Sequence, residues 1–193
     1  MNVSRTAQLW IFGGLALLMS ISRCQPLEHF LELPDASWAV FFIGGFYLRP
    51  IIRWALPLLM VEPLVIDWFA VQHMGVSDFC VTQAYWFLIP THAAMWFGGQ
   101  WLRSRATQDL RGLGALALSA FIATTVAYAI SNGSFYWLGH REPNPNFAPY
   151  IERFAQYYQW FLLVPCAYIA CTAVVHLGIA RALHAPVSSR SRR

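Results

Sequence analysis

Lysine is absent from this 193-residue chain, charged residues make up only 11% of it, and its four cysteines include no C-x-x-C pair. Each shortage excludes something. So little charge, beside 58% hydrophobic and 16% aromatic residues, excludes an ordinary soluble domain of this length. The spacing of Cys24, Cys80, Cys166 and Cys171 argues against a zinc site and against a thioredoxin-like redox motif. No nucleotide-binding motif is present, so the chain has no means of using ATP by itself. All 13 basic residues are arginine, and the formal charge of +4 needs no nucleic acid to explain it, because arginine marks the cytoplasmic loops of membrane proteins. The class is an all-α integral membrane protein, and its length suits one domain.

Six apolar stretches run Thr6–Ser22, Ser37–Leu48, Trp54–Gln72, Val81–Leu102, Gly112–Leu138 and Phe154–Leu183. A helix crossing the hydrocarbon core needs about 20 residues, which four of them supply. The first, with 17 residues between Arg5 and Arg23, is marginal. The second is short and carries Gly44-Gly45, so it either extends back to Asp35 or is partly re-entrant. The last is long enough for its outer part to project above the bilayer. Arg5 and Ser20-Ile21-Ser22 give the first stretch some features of a signal peptide. Arg23 directly before Cys24 is wrong for a lipoprotein cleavage site, and the stretch is read as a retained helix.

The arginines orient this set. With the N-terminus in the cytoplasm, Arg5, Arg49, Arg53, Arg103, Arg105, Arg111, Arg181, Arg190, Arg192 and Arg193 fall inside, and only Arg23, Arg141 and Arg153 fall outside. That bias comes from several short loops and predicts a six-transmembrane-helix bundle with both termini cytoplasmic, ending in a basic tail at about 185–193. The outer surface is then made of the connections Arg23–Ala36, His73–Asp78 and Gly139–Arg153, the last stiffened by Pro143, Pro145 and Pro149. Glu28, Glu32, Asp35, Asp78, Glu142 and Glu152 lie on them, so the outer side is the better place for a binding site.

Ionisable residues inside the stretches are functional by default when they face a bundle interior. Asp67 stands roughly 8 Å below the outer end of its helix at 1.5 Å per residue, and Tyr85 lies at a similar depth. Asp67 is read as a site residue. Glu62 and His92, both near mid-helix, are read as a structural pair tying two helices together. Cys166 and Cys171 are assigned to packing, and His176 and His184 to a helix C-terminus. The tryptophans are assigned to interface belts and packing. Gly13, Gly14, Ala16 and Ser20 suggest close packing of the first helix.

Cys80 is the residue with most chemistry. It opens the fourth stretch, where a helix N-terminus lowers a thiol pKa and favours thiolate. Three readings stay open: a disulfide with Cys24, an unreactive buried thiol, or a nucleophile or metal ligand. No second cysteine or histidine stands beside it at metal-ligand spacing, so a lone thiolate suits a metal that arrives already chelated. Two other classes compete. A membrane thiol-disulfide oxidoreductase would use Cys24 with Cys80, and a haem-binding membrane protein would need two facing histidines, for which His92 and His176 lie at different depths.

Leu33-Pro34-Asp35-Ala36 leading into Ser37–Leu48, the Asp67 segment, and Asp78-Phe79-Cys80 followed by Tyr85 resemble the BtuM family of bacterial vitamin B12 transporters, over about Leu33 to Leu183. The family resembles solitary S-components of energy-coupling-factor transporters. The resemblance implies six helices with both ends inside, a bacterial inner-membrane location, and cobalamin captured from the periplasm. It also implies Cys80 as axial ligand to the cobalt. Cobalamin brings its cobalt within the corrin, with axial positions open to one soft donor. Tyr85, Asp67, His29 and Arg153 are then candidates for contacts to the corrin amides, the nucleotide tail or Cys80. Asp67 or His29 would be the proton acceptor for the thiol, although a carboxylate nearby raises a thiol pKa. Displacement of cyanide from cyanocobalamin by the Cys80 thiolate is an implied side activity. S-components that dock on a shared energising module carry Ala-x-x-x-Ala on the first helix. This chain has Ala16-x-x-x-Ser20, which leaves an ATP-driven partner unassigned.

Overall fold

The structure, a computed structural model, describes residues 4–23, 34–78, 82–105, 107, 109–140 and 142–184. All regular structure among them is helical. The helices are α1 (Arg5–Arg23), α2 (Ser37–Tyr47), α3 (Ile52–His73), α4 (Leu88–Arg105), α5 (Leu110–Leu138) and α6 (Phe147–His184). A 3₁₀ turn at Arg49–Ile51 leads into α3 and another at Gln83–Phe87 leads into α4. Among the described residues, the segment Arg49–His73, α5 and α6 are long and apolar enough to cross a membrane, three where the apolar stretches led us to expect four; α4, only 18 residues long, is not among them. Six stretches and six helices correspond one to one.

The boundaries differ from expectation where proline decides them. The fourth helix begins at Leu88 rather than at Val81, which puts Pro90 in its first turn, where a missing N–H breaks no hydrogen bond. The last begins at Phe147 rather than Phe154, with Pro149 in its first turn. Pro149 therefore starts a helix instead of stiffening a loop, and Arg153 is helical. The 38 residues of α6 measure about 57 Å at 1.5 Å per residue, nearly twice a bilayer core. An aromatic pile holds the paired ends of α5 and α6: Tyr128 lies 4.6 Å from Phe154, and Tyr136 lies 5.2 Å from Tyr150. The Tyr136 hydroxyl donates to the Asn146 carbonyl at 2.9 Å and closes the connection between the two helices.

The core is built around α2. Ala39, Val40, Phe41 and Phe42 are essentially inaccessible, as a helix apolar on every side must be. Gly44-Gly45 does not break α2, which runs without interruption from Ser37 to Tyr47. A Cβ on Gly45 would overlap the backbone oxygen of Trp96, and one on Gly99 would overlap that of Phe42. The two helices thus meet backbone to backbone, which only glycine permits. The first helix does not use its glycines in this way. Nothing among the described residues lies within 4 Å of a Cβ placed on Gly13 or Gly14, and α1 is held instead by Leu15 and Met19 in the core. Cys166 packs against the core as expected, whereas Cys171 is exposed on α6.

Candidate functional site

Four helical segments converge at the end of the bundle where α1 stops and α2 starts. Arg23, the last residue of α1, reaches across to α3, donating Nε to Asp67 Oδ1 and Nη2 to Asp67 Oδ2, both at 2.7 Å. This is the two-pronged guanidinium–carboxylate arrangement that gives such pairs strength and a fixed direction. Arg23 Nη1 also donates to Asp35 Oδ2 at 3.1 Å and to Ser37 Oγ at 3.2 Å. Tyr85, on the 3₁₀ turn before α4, donates its hydroxyl to Asp67 Oδ2 at 2.7 Å. The side chains of Arg23 and Asp67 are 15% and 23% exposed, against 48% for Asp35. The Arg23–Asp67 pair is therefore shielded, while the Asp35 contact faces outward.

Local sequence explains why these groups arrive together. Asp35 Oδ1 accepts from the Ser37 N–H at 2.8 Å, a short turn that sets the first residues of α2. The Ala36 N–H donates to Ser22 Oγ at 3.1 Å and fastens that turn to the end of α1. On the far side, Thr82 Oγ1 accepts from the Ala84 N–H at 3.2 Å, capping the turn that carries Tyr85. The Asp67 carboxylate thus ties α3 to α1 and to the turn before α4, and Arg23 ties the start of α2 to the same cluster.

Asp67 and Tyr85, expected at similar depth, are thus brought into direct contact. Arg153 is placed elsewhere, its guanidinium 5.5 Å from the Phe135 ring and 5.8 Å from that of Tyr157 in the α5–α6 aromatic arm. Cys80, His29 and Cys24 lie outside the described residues. The expected Glu62–His92 pair does not form. Glu62 accepts from Ser20 Oγ at 2.8 Å, joining α3 to α1. His92 stacks on Phe41 at 4.1 Å, and among the described residues its buried Nε2 has no hydrogen-bond partner. Equal depth on two helices does not make their side chains face each other.

Arg23 is the residue that sequence reasoning missed as part of the site. Its position at the outer end of the first apolar stretch was legible, and an arginine there needs a counter-charge. Asp35 and Asp67 were both within the outer third of the chain's proposed cross-section, but no spacing rule ties residues 44 positions apart. His176 belongs to the other end of the bundle, where its Nδ1 lies 2.6 Å from the Tyr47 hydroxyl. Chemically, the Arg23 cluster sets one guanidinium, two carboxylates and the Tyr85 phenol on a rigid frame, with Asp35 its most exposed member. Among the described residues, no three His, Cys, Asp or Glu side chains gather to hold a metal ion. No family model matches the chain, and no curated protein matches it at a significant level.

Proposed function

We propose that this chain takes up cobalamin across the bacterial inner membrane, as a bundle of six spans with both termini cytoplasmic. It captures the corrinoid at the end where Arg23, Asp67 and Tyr85 meet. The observation that carries the reading is the surroundings of Cys80 in the chain. Asp78, two residues before Cys80, follows the α3 helix that supplies Asp67, and Thr82, two residues after it, caps the turn that supplies Tyr85, so the chain on either side of Cys80 leads to the same cluster. The resemblance to the BtuM family names the ligand for which one thiolate suffices.

The distribution of arginine supports the orientation. Ser37 opens α2 beside Arg23, and Tyr47 closes α2 at the other end, where Arg103 and Arg181 line one hollow. These two belong to the arginines read as cytoplasmic. The 11 residues of α2 span only about 17 Å. In a six-span arrangement its ends meet the surrounding helices rather than lipid, which satisfies their backbone groups.

In this proposal Cys80 thiolate binds cobalt as the axial ligand, and Tyr85, Asp35 and Arg23 face the amide rim of the corrin. His29 and Arg153 remain candidates for contacts to the tail. With cyanocobalamin the cobalt–carbon bond breaks, a cobalt–sulfur bond forms, and cyanide leaves as the anion with cobalt still Co(III). The test is rescue of a B12 auxotroph that lacks its own importer, paired with the visible spectrum of purified protein given cyanocobalamin. Rescue and a spectral change by the wild type, both lost in Cys80→Ala and retained in Cys24→Ala, are expected. Equal rescue and an equal spectrum from Cys80→Ala would sink the reading, and loss in both variants would favour the thiol-disulfide alternative.

A further inference from the structure

Two hydrogen-bonded rungs join α1 to α3. In the first, the Asp67 carboxylate meets the Arg23 guanidinium. In the second, Glu62 Oε1 accepts from the Ser20 hydroxyl at 2.8 Å. The second carboxyl group thus meets a neutral donor, and among the described residues Glu62 makes no ion pair. The charged and titratable groups around it are engaged or distant. On α1, Arg23 is committed to Asp67 and Asp35, and Arg5 stands at the opposite end. On α2 the one ionisable side chain is Tyr47, the last residue of the helix. Toward α4, Tyr85 donates to Asp67 and His92 stacks on Phe41. Along α3 itself, Arg53 is nine residues before Glu62 and His73 eleven after it.

The 22 residues of α3 measure about 33 Å at 1.5 Å per residue, and the helix is long and apolar enough to cross a membrane. Glu62 is ten residues from its start and eleven from its end, which is the middle of the span. Leu58, Val61 and Val65 beside it are exposed, and in a membrane that face meets acyl chains rather than water. A carboxylate without a counter-charge is the form least tolerated at that depth. The neighbouring backbone suits the acid. Pro63 has no N–H, so the Leu59 carbonyl four residues before it lacks its helical donor. Leu59 is inaccessible, and a buried carbonyl calls for a donor. A protonated Glu62 brings one O–H for that carbonyl and keeps its bond to Ser20.

We infer that Glu62 carries a proton across the middle of the membrane, so that the proton gradient drives cobalamin uptake. The inference rests on the cobalamin reading above. The Glu62 carboxylate takes a proton from the outer side and becomes the acid. It returns that proton to the cytoplasm as the vitamin leaves, and no electron moves. The two rungs link proton to vitamin. Ser20 and Arg23 are three residues apart on α1, and Glu62 and Asp67 are five apart on α3. A corrinoid that draws on Asp67 or Tyr85 shifts α3 against α1, and the Glu62–Ser20 bond shifts with it. Protonation of Glu62 then changes cobalamin affinity by the factor with which cobalamin changes proton affinity.

The test is accumulation of labelled cyanocobalamin by proteoliposomes holding the full chain, with the membrane potential clamped. Beside it, the visible spectrum of each protein given cyanocobalamin in detergent reports binding. An acid-outside gradient of one pH unit should raise wild-type accumulation about tenfold, the limit for one proton per vitamin. A protonophore should abolish the rise. Glu62→Gln keeps an acceptor for Ser20 and does not titrate, so it should bind as the wild type does and lose the rise. Glu62→Asp should restore part of it. In infrared difference spectra on cyanocobalamin binding, a protonated-carboxyl band present in the wild type should be missing from Glu62→Gln. Accumulation indifferent to the gradient in a wild type that binds, or a gradient response kept by Glu62→Gln, would overturn the inference and leave the cobalamin reading standing. A wild type that neither binds nor accumulates the vitamin would overturn both.

Discussion

Arg23 and Arg103 stand at opposite ends of one helical bundle, and their guanidinium groups keep different company. Arg23 meets a carboxylate on a facing helix in the two-pronged geometry, with Asp35 and Ser37 completing its shell. Arg103 meets a backbone carbonyl, and beside it Arg181, His176 and Tyr47 surround empty space. The first arrangement holds helices together. The second lines a hollow between helices. What separates the two is the disposition of acid: Asp67 is free to cross between helices, whereas Asp109 is consumed by the N-terminus of its own helix. Between the ends lies the glycine contact of α2 with α4, so each end keeps its own geometry.

That contact is where the comparison is easiest to break. Gly99→Leu would drive a side chain into the backbone oxygen of Phe42, which cannot move without shifting α2. The expected cost is about 3 kcal/mol or more, at the top of the range for overpacked cores. It should be read as a large fall in melting temperature and loss of a monodisperse protein in detergent, with damage to both ends at once. A wild-type melting temperature for Gly99→Leu would mean that the two helices do not pack so closely.

The Arg23 end comes next. Asp67→Ala removes the counter-charge of a guanidinium that is only 15% exposed, and removal of one partner from a shielded pair costs more than the pair contributes. About 2–3 kcal/mol is expected, below the full figure for a completely buried pair because Asp67 is partly exposed. A double-mutant cycle of Arg23→Gln with Asp67→Asn should show coupling of about 1–3 kcal/mol. Simple additivity would mean that the clamp is not one. Tyr85→Phe takes away one neutral donor to the same carboxylate and should cost about 1 kcal/mol. If the cluster also contacts ligand, Tyr85→Phe should lower cobalamin affinity by more than it lowers stability, which separates the two roles of that hydroxyl.

Much of this arrangement was legible in the chain. Apolar length located each helix of the described residues, and the arginine bias gathered Arg103 and Arg181 at one end, away from Arg23. Depth counting put Asp67 and Tyr85 level with each other, and they touch. The same counting paired Glu62 with His92, and failed, because depth fixes position along a helix but not the direction in which a side chain faces. Ser20 satisfies Glu62, and an aromatic ring covers His92. Gly44-Gly45 read as a possible break because its partner surface on α4, Gly98-Gly99, lies more than fifty residues on, and glycine spacing alone does not distinguish a bend from a close approach. Gly13-Gly14 looked like packing for the same reason and is open. Arg153 lies on the helix that Pro149 starts, where its guanidinium sits over Phe135 and Tyr157.

The smallest expected effect concerns the acid that separates the two ends. The Thr107 hydroxyl, and next the Gly112 N–H, hold the Asp109 carboxyl below its ordinary range. Its charged form is therefore favoured in the folded protein. The stabilisation this gives is fully present above the ordinary carboxylate pKa of about 4 and is lost as pH falls through the lowered folded value. Asp109→Asn keeps a good N-cap acceptor for Gly112 but does not titrate. At neutral pH its melting temperature should stay close to wild type. On acidification the wild type should lose stability more steeply than Asp109→Asn. Parallel acid slopes would show that the cap contributes nothing through its charge.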